Sequence, residues 1–313
     1  MTLPAFELCV APYELQAFLG RWWGREPLFI KRDEPDRFAR LINRSTFDDL
    51  VAHTNLRAPF FRLFKDGNLI PESACTVSRP LGPSTDPGLA DLNAVYDGFS
   101  RGATIVLAAL GKVDPALAQL CAGLEAAFQF PFEAEAYLAP PDAGALPAHH
   151  DPRDIFMLQA EGSRTWRIWN GSQVEDVLLE PGDSLYLPHD VLRAAEASPT
   201  SSLHLSVSTT LVRWLDVINA AVHDVLTSLK TDPDAQRALV FGRKPNQALA
   251  AEDDAALAAL AARVIEGLDA DRLTALAASF SEPPKRHDRS GALLRRLMNE
   301  TAASGPQSPM GRT

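Results

Sequence analysis

The 313 residues carry 30 basic and 40 acidic side chains, a formal charge of −10, and are 46% hydrophobic and 22% charged. Such a chain is globular, long enough for two or three structural units, and needs no disulfide or metal staples to hold a core. Its acidic balance argues against wrapping a nucleic-acid backbone, which takes clustered Lys and Arg, and suits a basic protein or peptide partner.

The predicted elements begin with a helix at Tyr13 to Trp23, where Leu15, Phe18, Leu19 and Trp22 recur at helical spacing, and Pro27 then leads into a strand at LFI. The start, MTLPAFELCVAPYEL, has neither a basic head nor an unbroken apolar stretch, so no export signal is expected. Ala58 to Asn68 reads as a strand running into an Asp-Gly turn, Pro80 to Pro87 as a loop, and Ala103 to Leu110 as a buried apolar strand or helix start. Pro115 to Phe128 is an amphipathic helix with Leu117, Leu120, Cys121, Leu124 and Phe128 on one stripe.

From Ala134 short aromatic and aliphatic segments follow one another between Gly, Pro, Asn and Asp, the rhythm of an antiparallel barrel or sandwich. After Thr210 the spacing turns helical through Leu211 to Leu229, then Ala255 to Glu266 and Asp271 to Phe280, with a loose Ser-Pro-Gly tail at 301–313. No run of about 18 apolar residues occurs, so no membrane span is expected. Cys9, Cys75 and Cys121 are widely spaced without a Cys-x-x-Cys, which predicts reduced thiols and a cytoplasmic compartment.

The chemistry concentrates at Ala148 to Trp169. His149 and Asp151 are separated by one residue, and in an extended chain positions i and i+2 share a face. An imidazole and a carboxylate aimed at one point are two of the three ligands of a 2-His-1-carboxylate site, which leaves positions on Fe(II) open. Alone, such a tripeptide reads as an ordinary turn. Here it is followed by a strand, a Gly turn, Arg164, a Trp-containing strand and PGDSLYLP. Trp166 and Trp169 read as core, and no role is assigned to His223 or His287.

The stretch from Trp22 to Ser208 resembles the cupin-like JmjC oxygenases of the ribosomal-oxygenase group, through RWWGREPLFI, RLFKDGN, FSRGATIVL, AYLAPP, HHDPRDIFMLQAEGSRTW, PGDSLYLP and SLHLSVST in family order. The resemblance implies an α+β chain: a double-stranded β-helix (jelly-roll, cupin, JmjC-type) with an N-terminal mixed α/β decoration and a C-terminal helical dimerisation region. Residues 1–210 would form the JmjC domain with its barrel core at about 103–210, 211–300 the helical part of a homodimer, and 301–313 the tail. It further implies an Fe(II)- and 2-oxoglutarate-dependent oxygenase that hydroxylates a side chain of a ribosomal protein or peptide precursor. His149 and Asp151 would be metal ligands, and Arg164 and Tyr137 would bind the distal carboxylate of 2-oxoglutarate; no further catalytic side chain is implied. Arg suits that task because its planar fork meets a carboxylate with two parallel hydrogen bonds.

Two positions depart from the family pattern. Arg193 stands where the third iron ligand, a His, is expected, and a guanidinium has no lone pair to offer a metal. The third ligand is thus left open between His189, four residues earlier, and His204, which alternates with Leu203, Leu205 and Val207 and so faces the polar side of its strand. Glu135 stands where the family often carries Asn. The rival reading is a JmjC-fold binding protein that has lost its iron chemistry through Arg193.

Overall fold

The computed structural model describes residues 4–81, 83–210, 212–236 and 251–280. The N-terminal half runs α1 (Ala5–Val10), α2 (Leu15–Arg21), β1 (Leu28–Ile30), α3 (Arg44–His53), β2 (Phe61–Lys65) and β3 (Asn68–Leu69). It continues through β4 (Thr76–Leu81), β5 (Ser84–Ala90), α4 (Leu92–Ser100), β6 (Thr104–Leu107) and α5 (Pro115–Phe128). α5 starts where the sequence says it must: Asp114 accepts a hydrogen bond from the Leu117 amide at 2.9 Å, and Pro115 occupies the first turn, where an N–H would be idle. Asp66 and Gly67, both at positive φ, turn β2 back onto β3.

Pro80 to Pro87, expected as a loop, is instead the tip of a two-stranded antiparallel ribbon of β4 and β5, with Pro80 paired to Thr85. A strand with a neighbour on one side only has idle amides, so prolines fit there without breaking a ladder.

Eight strands then follow closely: β7 (Glu133–Ala139), β8 (Leu146–His149), β9 (Arg153–Glu161), β10 (Arg164–Asn170), β11 (Gln173–Leu179), β12 (Ser184–Leu187), β13 (Leu192–Ala195) and β14 (Ser202–Thr210). They join the earlier strands in an eight-stranded sheet, ordered β1-β12-β9-β14-β7-β6-β2-β3, and a four-stranded sheet, ordered β11-β10-β13-β8. All recorded pairings in both sheets are antiparallel.

Period-two alternation sorts the side chains of the large sheet. On β9, Phe156 and Leu158 join a core with Phe6, Phe18 and Phe128 of α1, α2 and α5, while Ile155 and Met157 join a second cluster with Trp166 and Ile168 of β10. On β14, Leu203, Leu205 and Val207 face the helical side, leaving His204 and Ser206 to line the cavity between the sheets. The large sheet is therefore dry on one face and carries the site on the other.

The chain ends its described part in α6 (Trp214–Ser228), α7 (Ala251–Glu266) and α8 (Ala270–Phe280). The single apolar stripe expected of α6 divides: Val217, Ala221 and Val225 are buried, whereas Trp214, Leu215, Ile218 and Leu226 are exposed, Trp214 to 66%. Leu257 and Ile265 of α7 are exposed too. The expected tail at 301–313 and Leu211 lie outside the described residues. Cys9, Cys75 and Cys121 are buried and outside any disulfide, and among the described residues no helix is long and apolar enough to cross a membrane.

Candidate active site

A cavity of about 430 Å³ opens between the two sheets, and His149, Asp151, Arg164, Tyr137, Arg193 and His204 all line it. Sequence reasoning thus assembled most of the site from positions as far apart as 137 and 204.

At one end, β8 and β13 run side by side with His149 directly opposite Arg193. The His149 ring donates from Nδ1 to the Pro147 carbonyl at 2.9 Å, which leaves the Nε2 lone pair unengaged by that bond and suited to a metal. Asp151 has both oxygens occupied. Oδ1 accepts from the Arg153 amide and Nε, each at 3.0 Å; Oδ2 accepts from Arg153 Nη2 at 3.1 Å and Arg193 Nη2 at 3.0 Å. Burial pushes the Asp151 carboxyl up, but the hydrogen bonds and charge of Arg153, with the charge of Arg193, outweigh it and hold the group below its ordinary range. Arg193 itself is 3% exposed, and its Nε and Nη1 have no partner.

The opposite end holds Arg164, 6% exposed, with its Nε orphaned and no ion pair or hydrogen bond among the described residues. Burial alone lowers the pKa of this guanidinium, and no counter-charge offsets it. Tyr137 of β7 lines the same cavity, but its hydroxyl donates to Glu135 Oε2 at 2.7 Å, and Glu135 Oε1 accepts from Arg62 Nη2 at 2.7 Å. The acidic replacement at Glu135 therefore takes the very donor expected to meet the cosubstrate. Burial, followed by the Glu135 charge, raises the Tyr137 pKa, so its proton stays in place.

Neither rescue histidine completes a metal site. His189 donates from Nδ1 and from its amide to Asp154 Oδ1, each at 2.9 Å, and Asp154 also accepts from Tyr186; this network draws His189 away from the cavity lining. His204 lines the cavity but stacks on Tyr137 at 4.9 Å and meets the Trp166 ring edge to face. Burial first, then the Arg164 charge, drops its pKa to about 3, so it is a neutral core imidazole. Among the described residues no three His, Cys, Asp or Glu groups converge as metal ligands. Among the described residues the donor set is thus His149 and Asp151, and it does not reproduce a three-residue iron site.

The family model for the JmjC domain matches residues 110–174 and 170–217. That part of the chain is similar to the JmjC domain. The chain is 26% identical over 244 residues to ribosomal oxygenase 2 of Rattus norvegicus, covering 70% of this chain and 51% of that one. It is 27% identical over 237 residues to the bifunctional lysine-specific demethylase and histidyl-hydroxylase NO66 of Branchiostoma floridae, covering 75% and 37%. The match spans about half or less of the length of these curated relatives. Its fold is that of YcfD, a ribosomal oxygenase from Escherichia coli, with a TM-score of 0.56 at 16% identity over 92% of this chain and 79% of that one. A YcfD structure in complex with cobalt and 2-oxoglutarate aligns at a TM-score of 0.55, 17% identity, 92% and 78% coverage.

Three residues of the site escaped sequence reasoning: Arg62, Arg153 and Trp166 in its cavity role. For Arg153 the signal was present, since the same i, i+2 rule that joins His149 to Asp151 carries on to position 153. Arg62 gave none, because its partner Glu135 lies 73 residues away.

Proposed function

We propose that this protein is a 2-oxoglutarate-dependent oxygenase that hydroxylates a side chain of a basic protein or peptide, a ribosomal protein or a peptide precursor. The observation that carries the reading is Arg164: a buried guanidinium without an acceptor on the wall of a 430 Å³ cavity calls for an anionic ligand. The relatives support the same choice, being named ribosomal oxygenases and histidyl-hydroxylases, with cobalt and 2-oxoglutarate in one YcfD complex.

In this reading Arg164 anchors one carboxylate, and Tyr137, by turning its hydroxyl from Glu135, adds a second donor. His149 and Asp151 would be the protein ligands of Fe(II), with no third among the described residues. Bound iron and 2-oxoglutarate supply the oxidising chemistry with O₂; the protein's part is to hold the cosubstrate, keep His149 in one tautomer through Pro147, and screen the site between two sheets. The charge of −10 favours a basic polypeptide as substrate. Exposed Trp214, Leu215, Ile218 and Leu226, with Leu257 and Ile265, support a homodimer through the C-terminal helices, the boundary falling near residue 210. Three buried cysteines outside any disulfide support a reducing, cytoplasmic setting.

A second reading has one observation in its favour: both Asp151 oxygens are held by arginines, one of them where a ligand is expected. It makes the protein a JmjC-fold binding module without iron chemistry. Iron content and iron-dependent succinate formation separate the two. The oxygenase reading expects both in the wild type, with iron affinity at least tenfold higher in Arg193→His, since even indirect contacts to a metal set affinity at that scale. Succinate from Arg193→His alone would leave the natural protein to the second reading.

A further inference from the structure

The buried side-chain atoms without partners are not scattered. Of the eight among the described residues, six belong to five residues of this one cavity: Arg62 Nε, Arg164 Nε, Trp166 Nε1, Arg193 Nε and Nη1, and His204 Nδ1. Five of those six are N–H donors whatever the pH. A cavity rich in idle donors is a site for a ligand rich in acceptors.

Charge gives the ligand its valence. Arg62, Arg153, Arg164 and Arg193 line the cavity against only two carboxylates that are not exposed, Glu135 and Asp151, while His204 is neutral. Four against two leaves an excess of two positive charges, which a dianion cancels.

Geometry gives its shape. Arg193 is the cross-strand partner of Ile168, and Arg164 lies four residues up the same strand, so both guanidiniums rise from one face of the small sheet. At about 3.3 Å per residue their Cα atoms stand roughly 13–14 Å apart. Two arginine side chains reaching inward from that separation leave a gap for a short chain with a carboxylate at each end.

We propose that Arg193 takes over the anchoring that a metal would give to the near carboxylate, so that this cavity binds a C4–C5 dicarboxylate, 2-oxoglutarate among them, between Arg164 and Arg193 without any metal. The proposal rests on the cavity being the 2-oxo acid site of the preceding section, and it adds that the 2-oxo group itself is dispensable for binding. A site in which iron holds the cosubstrate needs that oxo group for chelation; a site with an arginine at each end does not. The Arg193–Asp151 contact uses only Nη2, which leaves Nε and Nη1, on different sides of the guanidinium, as single donors for an incoming ligand.

Isothermal titration calorimetry on the full chain in excess EDTA tests this. Wild type is expected to bind 2-oxoglutarate and glutarate within about threefold of each other, and butyrate at least tenfold more weakly, since one end then goes unpaired. Arg193→Gln is expected to bring glutarate affinity down to that of butyrate, with Arg193→Lys intermediate. Absence of binding in EDTA, glutarate no tighter than butyrate, or undiminished binding by Arg193→Gln would each overturn it. The wild-type comparison of glutarate with butyrate stands even where a variant does not fold. Succinate formation by iron-loaded wild type is a separate measurement, so the oxygenase reading and the metal-free site can fail independently.

Discussion

Arg193 and Arg164 stand on the same wall of the same cavity, both nearly fully buried, and differ in company: Arg193 has a carboxylate at 3.0 Å, Arg164 has none. A buried charge costs several kcal/mol unless it is matched. Arg193 gives Nη2 to Asp151 and keeps Nε and Nη1 idle; Arg164 is matched by nothing among the described residues and is kept whole for a ligand. The contrast shows how one cavity can hold one arginine partly in an ion pair and leave the other without a counter-charge.

The largest expected effect falls on the paired end. Asp151→Ala leaves buried Arg193 with no carboxylate and half-buried Arg153 without its ion pair, a loss of about 3–5 kcal/mol by denaturant unfolding; a loss below about 1 kcal/mol would mean that the two ends do not differ as described. Next comes His204, between the ends, with its pKa lowered from 6.5 to about 3. Above pH 6.5 the imidazole is neutral in both folded and unfolded chains. Between pH 6.5 and about 3 the unfolded chain takes up a proton that the folded chain refuses, so stability falls on acidification by about 1.4 kcal/mol per pH unit. His204→Leu should remove that slope from stability measured between pH 6 and 4, and an unchanged slope would place the titration elsewhere.

At the unpaired end the sign reverses. Arg164→Met removes a buried charge with no partner to strand, and should raise stability by about 1 kcal/mol while abolishing dicarboxylate binding; a destabilised variant would show that Arg164 has a structural partner. The smallest effect belongs to the surface. Arg167 grips Asp176 with two bonds of 2.7 Å, shorter than those on Asp151, yet both residues are open to water. Asp176→Asn is expected to leave the unfolding midpoint within experimental error.

Much of this was legible in the chain. Alternation on SLHLSVST placed Leu203, Leu205 and Val207 in the core and His204 on the cavity face, because a strand allows its side chains only two directions. Asp114 and Pro115 marked the start of α5 because unsatisfied amides at a helix end demand such residues. Pro80 and Pro87 misled because proline signals a break in a ladder but also tolerates an edge. The α6 stripe misled in part because apolar spacing does not say which apolar residues find a neighbour: Val225 did and Trp214 did not.

The sequence by itself determined the antiparallel strand succession and the helices that flank it, since these follow from local periodicity; that His149, Asp151, Arg164 and Tyr137 belong together was an expectation from the resemblance, and all four line one cavity. Only the tertiary structure decided who bonds to whom inside: Asp151 to Arg153 and Arg193, Glu135 to Tyr137 and Arg62, His189 to Asp154, and Arg164 to no group among the described residues. Most of those choices join strands distant in sequence, where the competition for each donor is settled by a few tenths of an ångström and by the cost of leaving a buried charge alone.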